Sequence, residues 1–424
     1  MHGAVIAREH RLAGLALLLA LACGDGPAGP PGPGPDDDLR QRFDLRALGE
    51  IPYPPDNLPS ASRIALGRLL FFDPILGGEM DVACATCHHP DLAFADGRQF
   101  SVGAGGTGLG PGRVASASGI TGLPIGLEPR NAQTILNAAF NADEAGSPSP
   151  LGFQFWDGRA LGLEEQARVP ITSRTEMAGD AYPAATARDS VVARLRGIDE
   201  YVRLFREAFP AEAEVAVGSD VISMDTYGRA VAAYERELVT RNSAFDRYAL
   251  GEDAALTSQQ KLGLELFFTK ALCSSCHGGP MFSDFLFHVL GVPQEGGGKD
   301  VLPGDDTGRE EHTLNPADRY AFRTPTLRNV ELTAPYMHDG VFATLEDVVR
   351  FYDQGALPRH PAVGDALIDP FVRDPLGLTN EEVAALVAFL KALTDPGTAL
   401  DPALLTVPKS VPSELEPLFG VRAP

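Results

Sequence analysis

Basic side chains are in short supply in this chain of 424 residues: 35 lysines and arginines face 57 aspartates and glutamates, for a formal charge of −22. Like charges repel, so the balance argues against nucleic acid or an anionic membrane surface as a partner. It favours a basic protein or a small neutral substrate. Long apolar runs are missing beyond the N-terminus, which argues against a membrane-spanning helix in the body of the chain. Alternation of apolar and polar residues is scarce, so a β-sheet core is not expected. Tryptophan occurs once, at Trp156, and cysteine 5 times. Present instead is an ordinary globular composition, 44% apolar and 22% charged, in a chain long enough for two or three domains.

At the N-terminus, Arg8, His10 and Arg11 precede LAGLALLLALAC, an apolar run of signal-peptide length that is too short to span a bilayer. Residues 1–23 therefore read as an export signal, and the periplasm as the destination. Ala22-Cys23-Gly24 resembles a bacterial lipobox, although Ala20 stands where that motif usually has Leu, Val or Ile. Lipidation of Cys23 would tether the protein to a membrane; the competing reading is a cysteine discarded with the signal. Residues 24–42 contain GDGPAGPPGPGPDDD, too rich in glycine and proline to pack a core, and read as a linker. Its acidic run, Asp36 to Asp38, reads as solvated charge rather than a cation site.

The cysteines carry the strongest signal. DVACATCHHP at 81–90 and ALCSSCHGGP at 271–280 each hold two cysteines three apart, with a histidine directly behind the second. This is the attachment signature of a c-type haem: Cys84, Cys87, Cys273 and Cys276 form thioethers, and His88 and His277 are the proximal iron ligands. The rival, a zinc site built from the same four cysteines, leaves both histidines unexplained. The flanks repeat as well. SASRIALGRLLFFDPIL leads to the first motif and SQQKLGLELFFTKAL to the second, matching Leu66-Gly67 and Phe71-Phe72 with Leu262-Gly263 and Phe267-Phe268. Phe94-Ala95-Asp96 and Phe282-Ser283-Asp284 follow the two motifs, the first copy having seven extra residues before its cysteines. The pattern is an internal duplication of a haem-binding unit.

Helical periodicity continues at 189–208, 222–249 and 379–393, and the glycine-rich stretches 101–112 and 292–308 read as loops. The expected fold is mainly α: two cytochrome-c-like haem domains related by duplication, with long irregular loops. Their expected bounds are 43–250 and 251–400, followed by an irregular tail at 401–424.

The segments PRNAQTILNAAFN, FQFWDGRALGLEEQA and RTPTLRNVELTAPYMHDGVFATLEDVVRFYD, in this order around the two motifs, resemble the bacterial dihaem cytochrome c peroxidases and their relatives of the MauG type. The resemblance covers nearly everything from 45 to 400. It implies a peroxide-reacting haem in the N-terminal half and an electron-handling haem in the C-terminal half. In many of these peroxidases a histidine sixteen residues beyond the first haem histidine must be released before peroxide binds; here that position is Ala104. Alanine cannot ligate, so the His88 haem is expected to be five-coordinate, with His89 as a poor rival beside His88.

On the second haem the family's methionine ligand falls fourteen residues after His338, where this chain has Tyr352, as in the MauG branch. A phenolate favours ferric iron and implies a low reduction potential. Met337 is the competing donor, and a core tyrosine the plainer reading of Tyr352. The resemblance further places Trp156 between the haems as an electron relay, with core packing as the alternative. It places Gln166 and Glu176 over the open face of the first haem, where a carboxyl group moves a proton as the O–O bond breaks. It also places Ca2+ between the haems, on Asn131, Thr333 and Pro335.

The implied activity is reduction of hydrogen peroxide with electrons from an external donor, a small cytochrome c or cupredoxin. The alternatives are MauG-type oxidation of side chains in a partner protein, and a non-enzymatic electron-transfer cytochrome with both irons closed.

Overall fold

The computed structural model describes residues 35–143, 145–294, 305–397 and 400–418. The export signal, Cys23 and most of the linker lie outside the described residues.

Two helix pairs, built alike, support the two cysteine motifs. Ala61–Phe72 packs across Met224–Arg236, and Ser258–Phe268 packs across Asn380–Lys391. Each crossing is closed at a glycine: a Cβ on Gly67 would run into the backbone oxygen of Ala230, and one on Gly263 into that of Ala385. Only a residue without a side chain lets the helix backbones approach this far, which explains why Leu-Gly recurs ahead of each haem motif. The paired phenylalanines fill the space beside the crossing. Phe71 and Phe72 meet Tyr234, while Phe267 meets Phe282 and Phe389. Three of the four helices begin in reciprocal caps, for example Thr379 Oγ1 accepting from Glu382 N and Glu382 Oε2 accepting from Thr379 N.

The mainly α expectation holds, with sheet among the described residues limited to antiparallel pairs such as Phe153–Gln154 with Ala160–Leu161. The helical stretches are shorter than their periodicity suggests. The 189–208 pattern divides into Ala184–Arg196 and Asp199–Ala208 at Gly197, and 222–249 into Met224–Arg236 and Ala244–Ala249, the last capped by Ser243. No helix of the described residues is long and apolar enough to cross a membrane.

The hydrophobic cores do not respect the expected edges at 43, 250 and 400. Leu45, Phe245 and Tyr248 belong to the core around Phe267 and Phe389. Leu400 and Leu418 belong to the core around Leu70 and Phe71. The tail is therefore a strap on the first half rather than a loose end. Leu418 N donates to Phe72 O at 3.1 Å and Ser413 Oγ to Asp73 Oδ1 at 2.6 Å. Its apolar side chains, Leu404, Leu405 and Leu415 among them, had a core to cover. The linker reading is likewise corrected at its end: Pro35–Arg42 is a helix, tied to the second half by Arg40–Asp253 at 2.7 Å and Arg42–Glu265 at 3.0 Å.

Candidate dihaem site

Each cysteine motif makes a single tight turn, Cys84–Cys87 as α-helix and Cys273–Ser275 as 3-10 helix. Behind each turn the histidine ring is fixed in the same way. Nδ1 of His88 lies 3.1 Å from Phe94 O, and Nδ1 of His277 lies 2.9 Å from Phe282 O. A carbonyl only accepts, so Nδ1 carries the proton and Nε2 keeps the lone pair that a metal needs. Burial lowers the basicity of both rings, which keeps the imidazoles neutral. Phe94 and Phe282 both take left-handed backbone, φ 55° and 50°, turning their carbonyls back toward the rings. The repeated Phe-x-Asp segment is thus the device that orients each iron ligand.

The four cysteines form no disulfide. Cys84 packs on the first core and Cys273 on the second, which removes the shared zinc site. Thiols held open beside oriented, neutral histidines fit covalent haem on both motifs.

A cavity of about 760 Å³ is lined by residues of both halves, His88, Gln166, Glu176, Trp156, His277 and Tyr352 among them. Trp156 is bonded to both halves: its Nε1 donates to Asn131 O at 3.0 Å, and its backbone oxygen accepts from Arg323 N at 2.7 Å.

Around His88, the loop carrying Ala104 is pinned. Ala104 is buried in the core and its N–H is shared by Thr175 O and Glu176 O, at 3.2 and 3.0 Å. Arg113 holds the loop carbonyls of Val102 and Gly103, both at 2.7 Å. The extra residues of the first copy hold it as well: Asp81 Oδ2 accepts from Gly105 N at 2.6 Å, and Glu79 from Gly119 N at 2.6 Å and Asp180 N at 3.2 Å. His89 is not among the cavity residues; its Nδ1 accepts from Asp91 N at 3.2 Å. Burial pushes the carboxyl of Glu176 up. A second carboxyl, Glu128, lines the same pocket and is pushed up to about 8, by burial first and then by the charge of Glu176. Sequence reasoning missed it, although it stands immediately before PRNAQT.

Around His277, Tyr352 sits at the end of the Leu345–Asp353 helix. Its hydroxyl is pushed up by burial and then by the Cys273 and Cys276 thiols, which places it beside the second attachment motif. Met337 lines the same cavity, so the structure brings both candidate donors there. His288 lies between two carboxylates, with Asp369 at 2.8 Å and Asp284 at 2.9 Å, and is pushed up to about 11, chiefly by the Asp284 bond. Cys276, Asp284 and His288 are close enough to hold a metal ion. Attachment of haem to Cys276 and the two carboxylates on His288 account for this cluster without one.

The residues expected at calcium lie along the same cavity. Asn131, Thr333 and Pro335 line the cavity, and Asn131 N donates to His338 O at 2.8 Å, joining the PRNAQT and APYMHD segments. Asn131 Nδ2 donates to Arg98 O at 2.7 Å, which fixes the amide with Oδ1 as its acceptor atom.

Duplicated helix pairs that each orient a histidine behind a Cys-x-x-Cys turn, facing one cavity, define a two-haem c-type redox protein. Residues 61–254 match the family model described as di-haem cytochrome c peroxidase. The chain is 35% identical over 398 residues to cytochrome-c peroxidase IdrP1 of Pseudomonas sp. strain SCT, covering 88% of this chain and 90% of that protein. It is 35% identical over 373 residues to methylamine utilization protein MauG of Methylorubrum extorquens, covering 88% and 87%. A MauG-like protein associated with microbial copper homeostasis shares the fold with a TM-score of 0.64 at 31% identity, over 86% of this chain and 96% of that one. The chain belongs to the dihaem cytochrome c peroxidase and MauG family, whose prosthetic groups are two haems c.

Proposed function

We propose that this chain reduces hydrogen peroxide in the His88 pocket, with electrons that enter from an external redox protein by way of the His277 site. The observation that carries the reading is the asymmetry of one cavity: a carboxyl-lined pocket beside His88, a phenol beside His277, and Trp156 bonded to both halves. Haem c held by His88 and by His277 would supply redox-active iron, the His88 site serving for peroxide chemistry and the His277 site for electron exchange. The remaining work falls to side chains. Glu176 takes part in moving a proton between the peroxide oxygens, and Gln166 donates from its amide. The pinned loop offers Ala104 in place of a ligand, so the pocket is ready at rest. Tyr352 contributes an oxygen donor that favours ferric iron, with a low potential as the result. Asn131 Oδ1, with oxygens of Thr333 and Pro335, would hold Ca2+ and keep the halves in register.

The donor is a small soluble redox protein such as a cytochrome c or cupredoxin, met in the periplasm, with lipidated Cys23 as tether. A second reading, oxidation of side chains in a partner protein, draws on Tyr352 and Ala104, because such ligation suits storage of oxidising equivalents. A pure electron carrier is disfavoured, since it needs both irons closed by strong ligands and Ala104 stands where the family's releasable histidine would be.

Electron paramagnetic resonance of the ferric protein tests the reading. One high-spin and one low-spin haem, bleached by a single equivalent of peroxide without prior reduction, is expected. Two low-spin haems inert to peroxide would overturn it. Turnover with a small reduced cytochrome then separates peroxide reduction from oxidation of a partner.

A further inference from the structure

The His88 pocket holds a carboxyl group that the reaction above leaves unused. Glu128 lines the same cavity as His88, Gln166 and Glu176. Its N–H donates to Ser101 O at 2.9 Å, anchoring it to the root of the Ala104 loop. Its side chain bonds to Thr175, the residue before Glu176, and its Oε1 is sealed from solvent with no hydrogen-bond partner. An oxygen in that position is costly to keep on an ionised group, and a proton removes the cost.

The charges around it point the same way. Glu176 opposes ionisation, while Arg159 and Arg130 favour it more weakly. Both cations are engaged elsewhere: Arg130 bonds Asp306 at 2.7 and 2.8 Å and Asp157 at 2.6 Å, and Arg159 bonds Asp157 at 3.0 and 3.2 Å. Two buried carboxyl groups therefore line one pocket, and Arg159 favours ionisation of both but is ion-paired to Asp157 instead, a setting that opposes both ionising together.

We propose that Glu128 and Glu176 act as a pair carrying one proton between them, and that Glu128 delivers this proton to the oxygen departing from peroxide. The inference rests on peroxide reduction in this pocket. As the O–O bond breaks, its electron pair leaves with the outer oxygen, which takes the Glu128 proton and departs as water. The proton on the inner oxygen passes to Glu176. Over the full cycle one peroxide, two protons and two electrons give two waters, the electrons coming from the external donor.

The test uses the full holoprotein carrying E235Q, which removes the other glutamate pushed up to about 8, on the Cys84 side, and adds E128Q or E128D to it. Infrared spectroscopy of the resting ferric protein reads the C=O stretch of protonated carboxyl groups independently of turnover. A band that fades as pH passes about 8 is expected in the E235Q parent, to be absent once E128Q is added and retained with E128D. Stopped-flow mixing with peroxide should show E128Q slower by about tenfold or more at neutral pH, within the range for loss of one proton donor. E128Q should also lose the alkaline limb of the rate profile, and E128D should restore it.

An E128Q protein that keeps that band, or that keeps the wild-type rate and pH profile, would overturn the proposal and leave Glu128 a structural acid. A wild type inert to peroxide sinks the peroxidase reading itself, and the delivery step with it, whatever the infrared shows.

Discussion

The indole Nε1 of Trp156 donates to the backbone oxygen of Asn131 at 3.0 Å. One residue expected to relay electrons is thereby bonded to a residue expected to hold the ion that fixes the halves. The side-chain amide of Asn131, its Nδ2 held by Arg98 O, leaves Oδ1 free to face a cation. Substituting Trp156→Phe keeps an aromatic ring but removes both the oxidisable indole and the bond. Both haems should still attach, and each pocket should keep its ferric spectrum. Turnover with an external donor should fall by about tenfold or more, the equivalent of roughly 1.4 kcal/mol in barrier. Steady-state assays beside spectra of the purified variant check this; unchanged turnover would reduce Trp156 to packing.

Gly263 and Gly67 make the second prediction. A methyl group at either position meets the backbone of the opposing helix, Ala385 or Ala230, and backbone cannot rotate away as a side chain can. Gly263→Ala should destabilise the protein by about 2 kcal/mol despite the better helix propensity of alanine, because overpacking forces the helices apart. Urea unfolding measures the change, and the same substitution at the exposed, open Gly49 serves as reference.

Much of this was legible beforehand for a physical reason. Covalent haem attachment needs fixed residues at fixed spacing, so Cys84, Cys87 and His88 stand out as candidates, and the duplication repeats them as Cys273, Cys276 and His277. Helix crossings also leave a trace, since Gly67 and Gly263 recur where backbones touch. Long-range packing leaves none. Nothing local to the tail shows that Leu418 will bond to Phe72, nor that Phe245 will join the core around Phe389. Glu128 was invisible for a related reason: a glutamate in a polar loop reads as solvated, and only the fold reveals that its Oε1 is shut away beside Glu176.

Arg328 and Asp246 form a bidentate pair at 2.8 and 3.0 Å with side chains 2% and 0% exposed. Arg328 Nε also donates to Pro280 O at 2.7 Å, so the pair ties the second core to the loop behind His277. Arg328→Met leaves Asp246 buried without its partner and should cost roughly 3–5 kcal/mol. Loss of the tie should also loosen His277, seen as a heterogeneous second-haem spectrum before global unfolding. A single sharp spectrum in a destabilised variant would confine the role to the core.

Tyr352 and Met337 both line the second pocket, and one substitution separates them. Tyr352→Phe removes the oxygen and keeps the ring that meets Phe351 at 5.6 Å. The ferric second haem should turn high-spin and its potential should rise, because the anionic donor that favours ferric iron is gone. A second haem that stays low-spin in this variant would assign the ligand to Met337 instead.

Glu235 sets a pH dependence whose sign follows from its surroundings. It is 4% exposed, and its Oε2 has no hydrogen-bond partner. The neighbouring Arg236 is committed to Glu164 at 2.5 and 2.7 Å. Burial, opposed by Arg236, pushes Glu235 from 4.5 up to about 8. Between those two values the folded chain holds a proton that the unfolded chain has released, so stability must fall as pH rises across that window. The stabilisation is fully present below pH 4.5 and is lost by the time pH has passed about 8. One such group contributes a slope of at most about 1.4 kcal/mol per pH unit. Glu235→Gln keeps the shape and removes the titration. Its urea midpoint should therefore overtake that of the parent as pH rises, and the two pH profiles should diverge only within the window. Parallel profiles would mean that Glu235 is already ionised in the folded protein, with Arg236 shared between it and Glu164.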